Sequence, residues 1–150
     1  MVRSAAAGAL AGGLATGAMS VLMFVAKAAG VMGEMPPEKI TARALDRAGL
    51  DRHPAVQDAL AAVLHVAFGS GAGALYAVVE ERLHPPGPGP LKGAAYGTAI
   101  WTVSYMGWVP MLGIMPAADR DRPGRPQSML AAHWVFGLAL VGILRGLRRG

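Results

Sequence analysis

The sequence predicts an all-α fold: an integral membrane four-helix bundle with a short amphipathic helix in its first connection. Three observations carry this. Charged residues make up 15% of the chain, where a soluble domain carries roughly 25%. The charges are clustered, leaving residues 4–26, 59–79, 93–118 and 127–144 without Asp, Glu, Lys or Arg. At 1.5 Å of rise per residue, about 20 such residues cross a hydrocarbon core about 30 Å thick, and all four stretches qualify. Finally, the first stretch has no polar face, which a soluble surface helix needs.

The spans are placed at about 4–26, 57–79, 93–115 and 127–145 of a single domain covering 1–150. The first has small residues around Lys27 that could be read as a cleavage site. It is too long for the 7–15-residue apolar region of a signal peptide, and Arg3 alone makes a weak basic start. It is expected to remain as a helix. After it, Pro36 and Pro37 open a segment in which Ile40, Ala44, Leu45 and Ala48 recur at helical spacing. Pro37 suits a helix start and Gly49 a stop, so a surface helix is expected over about 37–49. Glu34 and Glu38 flank the two prolines and form with them a surface loop motif rather than a catalytic acid–base pair. The second connection, 84–90, is rich in Pro and Gly and reads as a stiff non-helical link, and the third, 116–126, as a charged turn.

Four spans put both termini on one face, side A, and the first and third connections on side B. Side A carries six Lys/Arg against two acids, side B eight against seven. Several side B charges belong to the surface helix, and the expected orientation has both termini cytoplasmic. The net charge of +5 and the basic residues at helix ends suit lipid headgroups. No aromatic residues interleave with a basic run, so nucleic acid is not an expected partner. The chain contains no cysteine, which excludes disulfides, iron–sulfur clusters and thiolate metal sites within it.

Lipid tails are as apolar as Leu, so membrane helices associate by close backbone approach. Small pairs four apart occur in every span: Gly8/Gly12 and Gly13/Gly17, Gly69/Gly73, Gly93/Gly97, and Gly142/Gly146. In the third span Trp101, Tyr105 and Trp108 share a face, followed by Pro110, which frees the Met106 carbonyl and predicts a kink.

Two histidines fall inside the spans. His65 and His133 each lie six residues in from the side B end of an apolar stretch, about 9 Å by helical rise. Ionisable groups at such depth face a bundle interior and mark a functional site by default. Asp58, His65, Gly69, Ala72 and Tyr76 share one narrow face of the second span. Met19, Met23, Met106, Met111 and the other internal methionines lie in the side B half, with Met19/Met23 and Met111/Met115 each four apart. The candidate cluster is therefore His65, His133, Tyr105, Trp108, Met19, Met23, Met106 and Met111. Imidazole with thioether suits Cu(I), and two histidines from facing helices can ligate haem in a bundle core. Against this, methionine is a common gap filler, and the histidines can simply hydrogen-bond a neighbouring helix, with Tyr105 or Ser104 as partner. No cofactor is required by the sequence. It has no phosphate-binding glycine loop, His-Glu-x-x-His or nucleophile elbow, and no catalytic residue is assigned.

The segments Gly30-Val31-Met32-Gly33-Glu34-Met35-Pro36-Pro37-Glu38, His65-Val66-Ala67-Phe68-Gly69, Trp101-x-x-Ser104-Tyr105-x-Gly107-Trp108-x-Pro110 and Ala132-His133-x-x-Phe136-Gly137 together resemble an uncharacterised group of bacterial four-helix inner-membrane proteins. A more distant likeness is to the YagU family. The resemblance implies a multi-pass plasma-membrane protein and supplies no activity, cofactor or substrate. The expected role is accessory or structural and non-enzymatic, alone, as a homodimer or with a partner membrane protein. The alternatives are a copper or haem site at His65 and His133, and a small transporter acting as an oligomer. Alkaline carbonate washing of membranes is expected to leave the chain in the pellet; release as a monodisperse aqueous species would remove the basis for the spans.

Overall fold

The computed structural model describes residues 1–50 and 53–149. Asp51 and Arg52, two of the side B charges, and Gly150 lie outside the described residues. All regular structure among those described is helical: α1 (Val2–Ala28), α2 (Pro36–Ala48), α3 (Pro54–Leu83), α4 (Gly89–Trp101), a π-helical segment (Thr102–Trp108), α5 (Val109–Met111), a 3-10 turn (Ala118–Arg120) and α6 (Arg125–Leu147). Three of them, α1, α3 and α6, are long and apolar enough to cross a membrane.

The third expected span is not one helix. Inside the π-helical segment Gly107 leaves helical geometry at φ −106°, ψ −109°, and the Val109 N–H bonds the Ser104 carbonyl five residues back. Pro110 has no N–H to give the Met106 carbonyl. The break therefore falls at Gly107, three residues before the proline, and takes the form of a widened turn. α5 ends at Met111, and Gly113 turns the chain with φ +65°.

Element ends follow local chemistry. The Glu38 carboxylate accepts the Met35 N–H at 2.9 Å and caps α2, and Gly49, at φ 66° and ψ 27°, ends it in the left-handed region that favours glycine. Pro54, Pro90 and Pro126 occupy first turns, where a missing N–H costs nothing. Gly89 and Pro90 therefore belong to α4, and the expected non-helical link is shorter than 84–90. α2 does not display its expected apolar face as a unit. Pro36 and Thr41 are buried and Ile40 partly so, whereas Ala44 and Ala48 are exposed. Its first turns pack back onto the bundle instead of lying free.

α1 packs on α3 and on α6, and α4 packs on α6. The Met1 ammonium lies 3.3 Å from Glu81 at the end of α3, so α1 and α3 run antiparallel. Arg148, following α6, lies 3.6 Å from Glu80, placing both chain ends at one end of the bundle. On α1 the side chains are distributed inside out relative to a soluble helix. Gly8, Ala11, Gly12, Ala15 and Thr16 form the buried face of α1, while Leu10, Leu14, Val21, Phe24 and Val25 are exposed.

Glycine makes these interfaces. A Cβ on Gly12 would lie 2.9 Å from the Gly73 Cα, and one on Gly73 2.7 Å from the Gly12 Cα, so two backbones meet with nothing between them. Gly8 and Gly69 complete that seam. Gly93 and Gly97 meet Gly137 and the His133 backbone on α6 in the same way. Of the remaining expected pairs, Gly13 faces Ser70, and Gly17, Gly142 and Gly146 face open space. Gly137, unpaired at that spacing in sequence, is the partner α6 supplies. Gly12→Val and Gly137→Val are expected to destabilise the bundle by about 1–3 kcal/mol. Gly17→Ala and Gly142→Ala are expected to be neutral or stabilising by up to about 1 kcal/mol. Thermal unfolding of the purified variants in detergent checks both halves of the pattern.

Candidate functional site

The interior next to side B is not filled. A cavity of about 290 Å³ lies among α1, α2, α3, the π-helical segment and α6. α3 contributes His65, α6 contributes His133 and Met129, and α1 contributes Met19 and Met23. Tyr105 and Trp108 form another wall, and Pro36, Pro37, Ile40 and Thr41 of α2 close the end towards side B. Helical spacing explains the convergence. Met19 and Met23 sit one and two turns further along the face that carries Gly8, Gly12 and Ala15 into α3. His133 lies on the buried stripe Met129, Ala132, His133, Phe136, Gly137 and Leu140 of α6.

The histidines do not tie helices together. His133 is 7% exposed, and its Nδ1 lies 2.7 Å from the Met129 carbonyl one turn back on its own helix. A carbonyl only accepts, so Nδ1 carries the proton and Nε2 is left as an acceptor. His65 is half-buried, and among the described residues no protein group hydrogen-bonds it. Beneath the main cavity a void of about 30 Å³ is lined by His65, His133, Met19, Phe68 and Thr16. The Thr16 hydroxyl is already committed to the Gly12 carbonyl at 2.8 Å. A polar group held in an apolar interior without a partner is costly, and the imidazoles supply part of this cavity's free hydrogen-bonding capacity, beside Ser104, Thr41 and Trp108.

The expected cluster thus assembles in part. His65, His133, Tyr105, Trp108, Met19 and Met23 line one cavity. Met106 and Met111 do not: they are 51% and 84% exposed. The π-helical turns rotate Met106 outward, and the helix stops at Met111, so Met111 and Met115 share no face. Met115 and Met129 take their places in the cavity wall. Asp58 lies two turns before His65 along α3 but is exposed and is not in the cavity lining. The Glu34, Pro36, Pro37 and Glu38 motif serves α2. Glu38 caps it and accepts Lys27 Nζ at 2.8 Å, Glu34 pairs with Lys39 at 3.1 Å, and the prolines reach the cavity.

Tyr105 finds its partner outside the histidines. Its hydroxyl donates to Asp121, which also binds Arg125 at 3.0 and 3.2 Å and the Arg122 N–H at 2.7 Å. The Asp121 and Arg125 side chains are 4% and 7% exposed. Arg125 Nε donates to the Met32 carbonyl at 2.7 Å, and Arg122 to the Gly30 carbonyl at 3.0 Å. The connection expected to be a charged surface turn is thus a buried clamp. It fixes the cavity wall to both side B loops. The only sequence trace of it is an opposite-charge pair four residues apart ahead of α6. Burial pushes the Asp121 carboxyl up, but the hydrogen bonds from Tyr105, Arg122 and Arg125 outweigh it and hold the group below its ordinary value near 3.8.

Among the described residues no group of three His, Cys, Asp or Glu side chains converges on one point. These features define a class, an all-helical bundle with a largely apolar interior cavity that two imidazoles face, with Ser104, Thr41 and Trp108 also in its lining. The chain belongs to the family of unknown function DUF6789, whose model matches residues 2–149. No curated protein and no solved structure matches the chain.

Asp121→Asn leaves Arg125 buried without its counter-charge and is expected to cost about 3 kcal/mol of stability. Because the folded-state pKa is depressed, the Asp121 contribution is present above about pH 4 and is lost as pH falls through the lower folded value. Unfolding of the wild type across pH 3–6 is expected to show this acid loss, and Asp121→Asn to lack it.

Proposed function

We propose that this is a non-enzymatic membrane protein that binds a small, largely apolar molecule in the cavity between His65 and His133. The α4 to α5 unit supplies the fourth crossing of a four-span bundle. Support for the membrane setting comes from the length and apolarity of α1, α3 and α6 and from mostly small residues facing in and large apolar ones facing out on α1 and α3. The resemblance to bacterial inner-membrane proteins, and more distantly to the YagU family, supports a bacterial plasma membrane, and the distribution of Lys and Arg outside the surface helix supports both termini cytoplasmic. One observation carries the binding reading. A cavity of about 290 Å³, near the lower size of small-molecule sites, contains an imidazole that no described protein group satisfies.

A structural role makes the opposite demand, since histidines that hold a bundle together must bond across helices. His133 bonds within α6, and His65 bonds no described residue. Cu(I) is a second reading, supported by the thioethers of Met19, Met23, Met115 and Met129 around the same space.

His65→Leu is expected to leave the stability of ligand-free protein unchanged or raise it by about 1 kcal/mol, because no protein hydrogen bond is lost. The same variant is expected to lose the small molecule that wild type retains through mild purification, read by native mass spectrometry. A His65→Leu protein that melts markedly lower without ligand refutes the binding reading. Stoichiometric copper, or a haem Soret band, abolished by the substitution transfers the site to a metal or haem.

A further inference from the structure

The cavity is not closed towards the outer face of the bundle. α3 and α4 hardly pack on each other among the described residues, because α3 rests on α1 and α4 on α6. A groove of about 480 Å³ runs between them. Gly71, Ala72, Leu75 and Val103 are among its walls, and it shares Phe68, Ser104 and Trp108 with the histidine cavity. Contacts bridge the gap only towards side A among the described hydrogen bonds: Lys92 Nζ donates to Glu80 at 2.8 Å, and the Tyr96 hydroxyl donates to the Ala72 carbonyl at 2.6 Å with its ring 5.0 Å from that of Tyr76. The groove therefore lies on the surface that faces lipid, in the proposed setting, and adjoins the histidine cavity at Phe68, Ser104 and Trp108.

The tautomers narrow the chemistry at the inner end. His133 spends its proton on the Met129 carbonyl, leaving Nε2 to accept. A neutral His65 has one N–H to give and one nitrogen to accept with. A hydroxyl satisfies both rings at once, donating to His133 Nε2 and accepting from His65. A carbonyl or ether oxygen leaves His133 unsatisfied, and a carboxylate brings an uncompensated charge into apolar surroundings.

We propose that the cavity takes its ligand sideways from the lipid phase through the α3–α4 groove, and that the ligand is an alcohol or phenol carrying a single apolar tail. The hydroxyl sits between His65 and His133, and the tail lies along Phe68, Leu75 and Val103. This rests on the binding reading above and adds to it the route and the head group.

The test uses 4-hexylphenol with a diazirine at the end of its tail, photolysed with the full-length protein in lipid nanodiscs and mapped by peptide mass spectrometry. Labelling is expected on groove residues of α3 and α4. It is expected to be competed by 4-hexylphenol, about tenfold less effectively by 4-hexylanisole, which has lost the donor, and about a thousandfold less effectively by phenol, which has lost the tail. A Cβ on Gly71 meets nothing within 4 Å, so Gly71→Leu fills the groove without disturbing the backbone and is expected to weaken labelling about tenfold. His65→Leu is expected to abolish the advantage of the phenol over the anisole. Competable labelling confined to Pro37 and Ile40 of α2 overturns the lateral route while leaving the cavity as a binding site. Equal competition by the anisole overturns the hydroxyl assignment. Absence of competable labelling overturns the whole inference, and the retained-ligand measurement on His65→Leu then judges the binding reading independently.

Discussion

Direct backbone contact between helices is the constraint from which the rest of the structure follows. Where Gly8 and Gly12 face Gly69 and Gly73, and Gly93 and Gly97 face Gly137 and the His133 backbone, no side chain separates the rods. In a lipid setting, apolar burial gives helices little reason to associate, so dispersion across a close seam carries the association. Two such seams, joined by the packing of α1 on α6, fix three interfaces. They leave the α3–α4 boundary without a seam of its own. The groove and the cavity are consequences of where the glycines are absent as much as of where they are present.

The cavity opens where the small-residue seams give way to methionine and histidine. Along α1 the buried face passes from Gly8, Ala11, Gly12 and Ala15 to Met19 and Met23. Along α3 it passes from Tyr76, Gly73 and Gly69 to His65. Larger side chains hold the helices apart towards side B, and α2 covers the resulting space with Pro36, Ile40 and Thr41. The buried clamp of Tyr105, Asp121 and Arg125 holds the fourth side of the space. This explains why a carboxylate and a guanidinium are tolerated at 4% and 7% exposure. Each meets several hydrogen-bonding partners, which is the condition under which a buried ion pair recovers its desolvation cost.

The break at Gly107 serves the same geometry. The π-helical segment turns Met106 outward and brings Tyr105, Trp108 and Val109 onto the cavity. Widened turns of this kind are frequent at functional sites because they re-aim side chains that a regular helix would place elsewhere. Here the re-aimed side chains include the aromatic ring whose hydroxyl anchors the clamp.

The sequence by itself determined what depends on neighbours along the chain. Helix rise and uninterrupted apolar runs place the three long helices within a few residues of their ends. Pro and Gly punctuation marks α2, and equal counting from side B brings His65 and His133 to one level. Tertiary structure decided what depends on residues far apart. It chose Gly69/Gly73 and Gly137, and not Gly142/Gly146, as interface glycines, because an interface needs a facing surface that spacing alone does not reveal. It buried Arg125 against a carbonyl 93 residues away at Met32, turning what reads locally as a solvated charged loop into the clamp beneath the site. It also removed Met106 and Met111 from the methionine cluster, because the helical periodicity that would have aligned them ends at Gly107.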